Sequence, residues 1–257
     1  VPAPWDIFKP EILTGRRALV TGGGQGVGAV IGRALASAGA TVVINDVDPD
    51  RAGECASEIG HGAVGHAADV TDLAAVTAMA EQTGPWDIVV NNAGMAGASA
   101  QLALTAFADT DEASWAAPLA VNVNGVLNVT RAALPAVIAN GWGRIVTIVS
   151  DAGRVGDGGL AVYAAAKAAA AGFMRSIARE NGKFGITANC ISLGTMQIPE
   201  RDTRTPEQVA AQVRRYPLRR LGHPDDVAGL VVLLASSAGS WITGQTIPVN
   251  GGYSSAL

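Results

Sequence analysis

The sequence predicts an α/β fold, one doubly wound parallel sheet of about seven strands with helices on both faces. Three observations carry this. Short β-branched apolar runs alternate with helix-length segments along the chain; a glycine-rich turn joins the first such run to the first helix; and no linker, repeat or low-complexity stretch divides the 257 residues. One domain is the economical reading. At 49% apolar residues the chain has ample material for a sizeable core.

Taken in order, the strands are expected at Arg17–Thr21, Thr41–Asp46, Ala63–Ala68, Trp86–Asn91, Arg144–Ser150, Gly185–Ile191 and Thr246–Val249. Each is a short apolar run bounded by turn residues, as buried parallel strands are. Helices are expected at Val27–Ala38, Leu73–Gln82, Glu112–Ala139, Leu160–Asn181 and Asp225–Ala235. The run after Gly159 is alanine-rich, and alanine is the best helix former.

Composition narrows the function. A net charge of -4 argues against nucleic acid or an anionic membrane as a main partner. No apolar stretch is long enough to span a bilayer. Residues Val1–Asp6 lack the basic-then-apolar pattern of a secretory signal, so a cytoplasmic protein is expected. Only 16% of residues are charged, which suggests apolar surface covered by another subunit. Cys55 and Cys190 have no disulfide or metal spacing and fit a reduced compartment; His61, His66 and His223 show no ligand spacing either.

Two stretches carry chemistry. The turn Thr21-Gly22-Gly23-Gly24-Gln25-Gly26-Val27-Gly28 follows a strand and opens a helix. Its glycines let backbone N–H groups and the helix N-terminus approach a pyrophosphate, although the spacing differs from GxGxxG. Asp46 ends the next strand, where a carboxylate can accept from both ribose hydroxyls and repel a 2′-phosphate. Neither Gln25 nor Val47 offers such a phosphate a cation, so NAD is expected rather than NADP. Taken alone, Asp46 fits a turn residue as well.

The second stretch runs from Ser150 to Lys167. Tyr163 and Lys167 share a helix face at i and i+4, so an ammonium can lie near a phenol whose unperturbed pKa is about 10 and favour its ionised form. Ser150 closes a strand and can meet the same substrate oxygen. Taken alone, these residues describe an ordinary amphipathic pair and a strand end.

Together with Asp69-Val70, Asn91-Asn92-Ala93-Gly94 and Asn122, the glycine turn, Ser150 and Tyr163-x-x-x-Lys167 resemble the single-domain short-chain dehydrogenase/reductase family in order and spacing. The resemblance runs from about Gly15 to Tyr253. It implies a Rossmann fold with Tyr163 as proton acceptor, Ser150 holding the substrate oxygen, Lys167 lowering the Tyr163 pKa and bonding ribose, and Asn122 holding a water that links Lys167 to solvent. It further implies Gly22, Gln25, Gly26, Val27 and Gly28 at the cofactor's phosphates, Asp69 and Val70 at adenine, Asn92 and Gly94 along its path, and backbone near Met196 at the carboxamide. A homotetramer and a lid over residues 195–220 are also implied.

Two departures stand after the sixth strand. Leu193 replaces a usual proline and Ile198 a usual threonine, with Thr195 the possible substitute. Six arginines between Glu200 and Arg220 (Arg201, Arg204, Arg214, Arg215, Arg219 and Arg220) could meet an anionic substrate or form a solvated face. The expected activity is NAD-dependent interconversion of a secondary alcohol and a ketone. The alternatives are a 3-oxoacyl-thioester reductase, which the Arg144–Phe173 stretch also resembles, and a non-catalytic nucleotide-binding protein. Pro135 and Ala136 supply no charge for an acyl carrier protein. Substrate choice is expected to lie in Met95–Ala106, Asp151–Leu160 and Thr195–Arg220.

Overall fold

The computed structural model describes residues 11–95, 104–198, 202 and 204–255. Val1–Asp6, Glu200, Arg201 and most of Met95–Ala106 lie outside them. Seven strands form one sheet: β1 Arg17–Thr21, β2 Thr41–Asp46, β3 Val64–Ala67, β4 Ile88–Asn91, β5 Gly143–Ser150, β6 Ile186–Leu193 and β7 Thr246–Val249. All pairs are parallel, in the order β3-β2-β1-β4-β5-β6-β7. The chain builds outward from β1 to β3, then returns to lay β4 on the other side of β1. That reversal opens a crevice at the carboxyl ends of β1 and β4, where such sheets bind ligands.

Side-chain alternation sends the strands' apolar residues to two covered faces. Ala18, Val20 and Ile44 pack with Ile31 and Leu35 of α1 (Gly26–Ser37), and with Val227, Val231 and Leu234 of α9 (Asp225–Ala235). On the other face, Leu19, Val43 and Val89 meet Val76 and Met79 of α3 (Leu73–Thr83) and Val129 of α5 (Gly125–Asn140). Ile145 and Ala188 meet Ala170, Met174 and Ile177 of α7 (Ala161–Asn181). No helix among the described residues is long and apolar enough to cross a membrane.

Several elements differ from expectation. Helix α2, Pro49–Ile59, was not expected, yet its start is written locally: the Asp48 carboxylate accepts from the N–H groups of Asp50 and Arg51, with Pro49 in the first turn. The single helix expected over Glu112–Ala139 is broken into α4 (Ala116–Leu119), a wide π turn (Ala120–Asn124) and α5. Strand β6 runs two residues beyond Ile191, to Leu193, whose carbonyl accepts from the Asp151 N–H at 3.0 Å. Two shorter helices complete the chain, α6 (Ala152–Val155) and α8 (Pro206–Val213), the latter started by a capping box between Thr205 and Gln208.

Candidate active site

The glycine turn leaves β1 at the crevice. Gly22 and Gly26 adopt φ of +58° and +55°, a left-handed backbone that side-chain-bearing residues rarely hold. Gly28 opens α1 so close to the Gly22 carbonyl that a Cβ has no room. Gln25 sits at the N-cap of α1 without a side-chain cap, leaving the first N–H groups of the helix for an anion. The strand-end motif of β4 holds this turn: the Asn92 side-chain amide donates to the carbonyls of Thr21 (3.0 Å) and Gly22 (2.9 Å). The Thr21 hydroxyl accepts from the Asn92 and Ala93 N–H groups.

Asp46 is buried, its carboxylate accepting from the N–H groups of Gly24 and Asp48 at 3.2 Å each. Gln25 and Val47 carry no charge, as expected; a cation close to this turn comes instead from α2. Arg51, in the first turn of α2, packs against Gly24 beside Asp46, its guanidinium paired with Asp48 at 3.2 Å. The Asp48-Pro49 cap is the signal in the sequence that marks this helix and places Arg51 in its first turn. Asp69 lies exposed beyond β3 and accepts from the Thr71 N–H at 2.8 Å. The residue that caps α3 is Asp72, so Asp69 is not spent on a helix start. Val70 is buried against Gly125.

Ser150, Tyr163, Lys167 and Asn122 converge at the same crevice. Ser150 ends β5 with its hydroxyl close enough to the Tyr163 phenol to influence its ionisation. One turn further along α7, the Lys167 ammonium donates to the Ile148 carbonyl at 3.0 Å and lies 5.8 Å from the Tyr163 ring centre. Asn122 lies wholly buried in the π turn. Its amide clasps Met95, donating to the carbonyl at 2.5 Å and accepting from the N–H at 3.2 Å, and also donates to Pro118 one turn back. A kink at Asn122 and a place for it beside Lys167 are therefore both true. Gly94 brings them together, since a Cβ there would lie 3.1 Å from both the Asn122 Oδ1 and the Lys167 Nζ.

Burial raises the Tyr163 phenol above its ordinary value, and the neighbouring Ser150 hydroxyl opposes the rise. The Lys167 ammonium, one turn away, is directed at the Ile148 carbonyl. Burial in turn depresses Lys167 to about 8, with the neighbouring Cys190 opposing.

The carboxamide end also differs. Thr195 is held within this segment: its hydroxyl accepts from Gln212 at 2.9 Å and its N–H donates to the Tyr216 hydroxyl at 2.8 Å. Met196 bridges to Gly222, whose carbonyl takes the Gln197 N–H at 2.7 Å. The Ile198 side chain packs against Gly26, so an apolar group stands over the glycine turn.

Most described arginines of the 195–220 segment are engaged within the protein. Arg204 forks onto Asp202 and reaches Gln212, and Arg220 forks onto Asp226. Arg215 bonds Asp157 and the Tyr253 hydroxyl, and Arg219 donates to the Arg214 carbonyl. Local carboxylates pair Arg204, Arg215 and Arg220, while Arg219 meets a backbone carbonyl.

The family model described as enoyl-(acyl carrier protein) reductase matches residues 22–254. The chain is 37% identical over 249 residues to the (2S)-[(R)-hydroxy(phenyl)methyl]succinyl-CoA dehydrogenase subunit BbsD of Thauera aromatica, covering 94% of this chain and 98% of that protein. It is 35% identical over 242 residues to the 3-oxoacyl-[acyl-carrier-protein] reductase FabG of Escherichia coli K12, covering 93% and 97%. Among solved structures, a putative NAD(P)-dependent gluconate 5-dehydrogenase from Beutenbergia cavernae, with NADP bound at low occupancy, superposes with a TM-score of 0.86 at 34% identity over 95% of this chain and 99% of that one. With these relatives along its whole sheet, the chain belongs to the short-chain dehydrogenase/reductase family of oxidoreductases.

Proposed function

We propose that this protein is an NAD-dependent oxidoreductase that interconverts a secondary alcohol and a ketone. The observation that carries the reading is the nearness of Ser150 to Tyr163, with the buried Lys167 one helical turn away and Gly94 packed between Lys167 and Asn122. The residues fit a nicotinamide dinucleotide: Gly22, Gly26 and Gly28 with the uncapped start of α1 would hold its phosphates, Asp46 its ribose, Asp69 and Val70 its adenine. Held there, it would supply the hydride acceptor for the carbinol carbon, or the hydride donor in reverse.

The chain's own residues manage the proton. Ser150 donates to the substrate oxygen and holds it against Tyr163, whose phenolate accepts the hydroxyl proton as the carbon–oxygen bond gains double-bond character. Lys167, one helical turn from Tyr163, favours the phenolate by its charge and would bond ribose, and Asn122 completes the proton path. Residues 195–220 act as the lid, and a homo-oligomer is part of the reading, supported by the fully exposed Trp241 beside the edge strand β7.

The test is NAD reduction against a panel of alcohols, with Tyr163→Phe alongside. The variant keeps the ring and should bind NAD while losing nearly all turnover. Turnover within a factor of about ten of wild type, a barrier change near 1.4 kcal/mol, removes Tyr163 as the base. No turnover by the wild type would favour a non-catalytic binding protein. A second reading, a 3-hydroxyacyl or 3-oxoacyl thioester as substrate, is favoured by the names of both sequence relatives. Including 3-hydroxyacyl-CoA in the panel decides between them.

A further inference from the structure

Asp151 follows Ser150 directly and is 2% exposed, yet its carboxylate collects four donors from three parts of the chain. Oδ1 accepts from the Ser192 hydroxyl at the end of β6 (2.6 Å) and from Arg154 in α6 (3.0 Å). Oδ2 accepts from the Asn250 amide (2.5 Å) and the Ser254 hydroxyl (2.7 Å), both in the segment after β7. Arg154 reaches the same segment through Ser254 Oγ (3.1 Å) and the Ser255 carbonyl (3.2 Å). The backbone of Asp151 is committed as well: its N–H donates to Leu193, and its carbonyl accepts from the N–H groups of Arg154 and Val155. Beside it, the Ser150 hydroxyl accepts from the Ala152 N–H at 3.2 Å.

The chemistry requires a carboxylate. Two oxygens offer about four lone-pair sites, and four donors fill them. An asparagine of the same shape keeps one oxygen and turns an NH2 toward donors, leaving buried groups unpaired. Burial raises the Asp151 pKa, but the Ser192, Asn250, Ser254 and Arg154 donors outweigh it, so the group stays ionised. A buried charge tied to three separate segments fixes a position, and that position is one peptide from Ser150.

We propose that Asp151 is a positioning residue that ties the segment after β7 to the Ser150 turn and thereby sets the Ser150 hydroxyl against Tyr163. This rests on the reading of Ser150 and Tyr163 as the reaction centre.

A double-mutant cycle in the full chain tests it. Asp151→Asn should lower kcat by roughly 10- to 100-fold with KM for NAD changed less than about twofold, because the nucleotide end does not touch Asp151. In a Ser150→Ala background the same change should cost less than about threefold, since its route of action is gone. An equal loss in both backgrounds, or an unchanged kcat, overturns the proposal. Should Asp151→Asn not fold, Ser254→Ala removes one donor only and should lower kcat by about two- to fivefold. Hydrogen exchange provides an arm independent of turnover: amides 152–156 should exchange at least about tenfold faster in either variant, and unchanged exchange overturns the proposal. If the wild type reduces no NAD with any alcohol, the proposed function fails, and the exchange arm alone decides whether Asp151 holds the turn.

Discussion

At the nucleotide end of the crevice, backbone meets backbone or the side chain of a neighbouring strand: Gly24 on Asp46, Asn92 on the carbonyls of Thr21 and Gly22, Gly28 against Gly22 itself. At the substrate end, side chains from distant segments meet one another. Asp151 gathers Ser192, Asn250 and Ser254, and Asp157 takes the Tyr253 hydroxyl at 2.6 Å together with Arg215. The first kind of site depends on atoms that are missing, so any added carbon breaks it. The second depends on polar partners that can be removed one at a time, so its losses are graded.

The largest expected effect tests the intolerance of the first end. In Gly28→Ala the new methyl meets the Gly22 carbonyl, the Asn92 amide and Gly23 Cα, which cannot all move. It should cost about 2–3 kcal/mol in urea denaturation and abolish nucleotide binding by titration. Gly53→Ala is the contrast. It lies in α2 with nothing within 4 Å of the added carbon, and should stabilise by about 0.5–1 kcal/mol. A mild Gly28→Ala would end the distinction.

Cofactor choice is next. Asp46→Ala with Val47→Arg removes the carboxylate and adds a phosphate partner near Arg51, and should move the ratio of kcat/KM for NADP over NAD by about tenfold or more. Preference for NADP in the unmodified enzyme would show that Asp46 does not exclude the 2′-phosphate.

Lys167 lies where the two ends meet, and its signature is in pH. Its folded pKa, about 8, is below the unfolded value of 10.5. Between these values the unfolded chain binds more protons, so stability should rise with pH across that window. Lys167→Met should lack this rise, and the difference between the two proteins in denaturant melts from pH 7 to 10.5 measures it. A flat difference would mean that the ammonium is better solvated than its burial suggests.

The smallest effect belongs to the segment proposed as a lid. Arg215 is half exposed, so Arg215→Ala should cost less than about 1 kcal/mol of stability. Released from Asp157 and Tyr253, the lid should hold substrate less well, raising KM by about two- to threefold while kcat changes little. A loss of kcat instead would place this contact with the Asp151 network rather than with the lid.

What the sequence by itself determined follows this division. The seven strands, the glycine turn, Asp46 and the Tyr163–Lys167 spacing are short-range patterns: apolar runs of strand length, φ-permissive glycines, residues four apart on one helix face. Local chemistry also carried the start of α2 at Asp48-Pro49, although that signal went unused. Tertiary structure alone decided the rest. It broke the 112–139 helix at a π turn so that Asn122 could clasp Met95, and aimed Lys167 at Ile148 rather than at Tyr163. It paired Arg204 and Arg220 with nearby carboxylates and joined Asp151 to residues about a hundred positions away. Contacts between side chains far apart in the chain leave no period or motif, because their partners become neighbours only when parallel strands bring their carboxyl ends to one edge of the sheet.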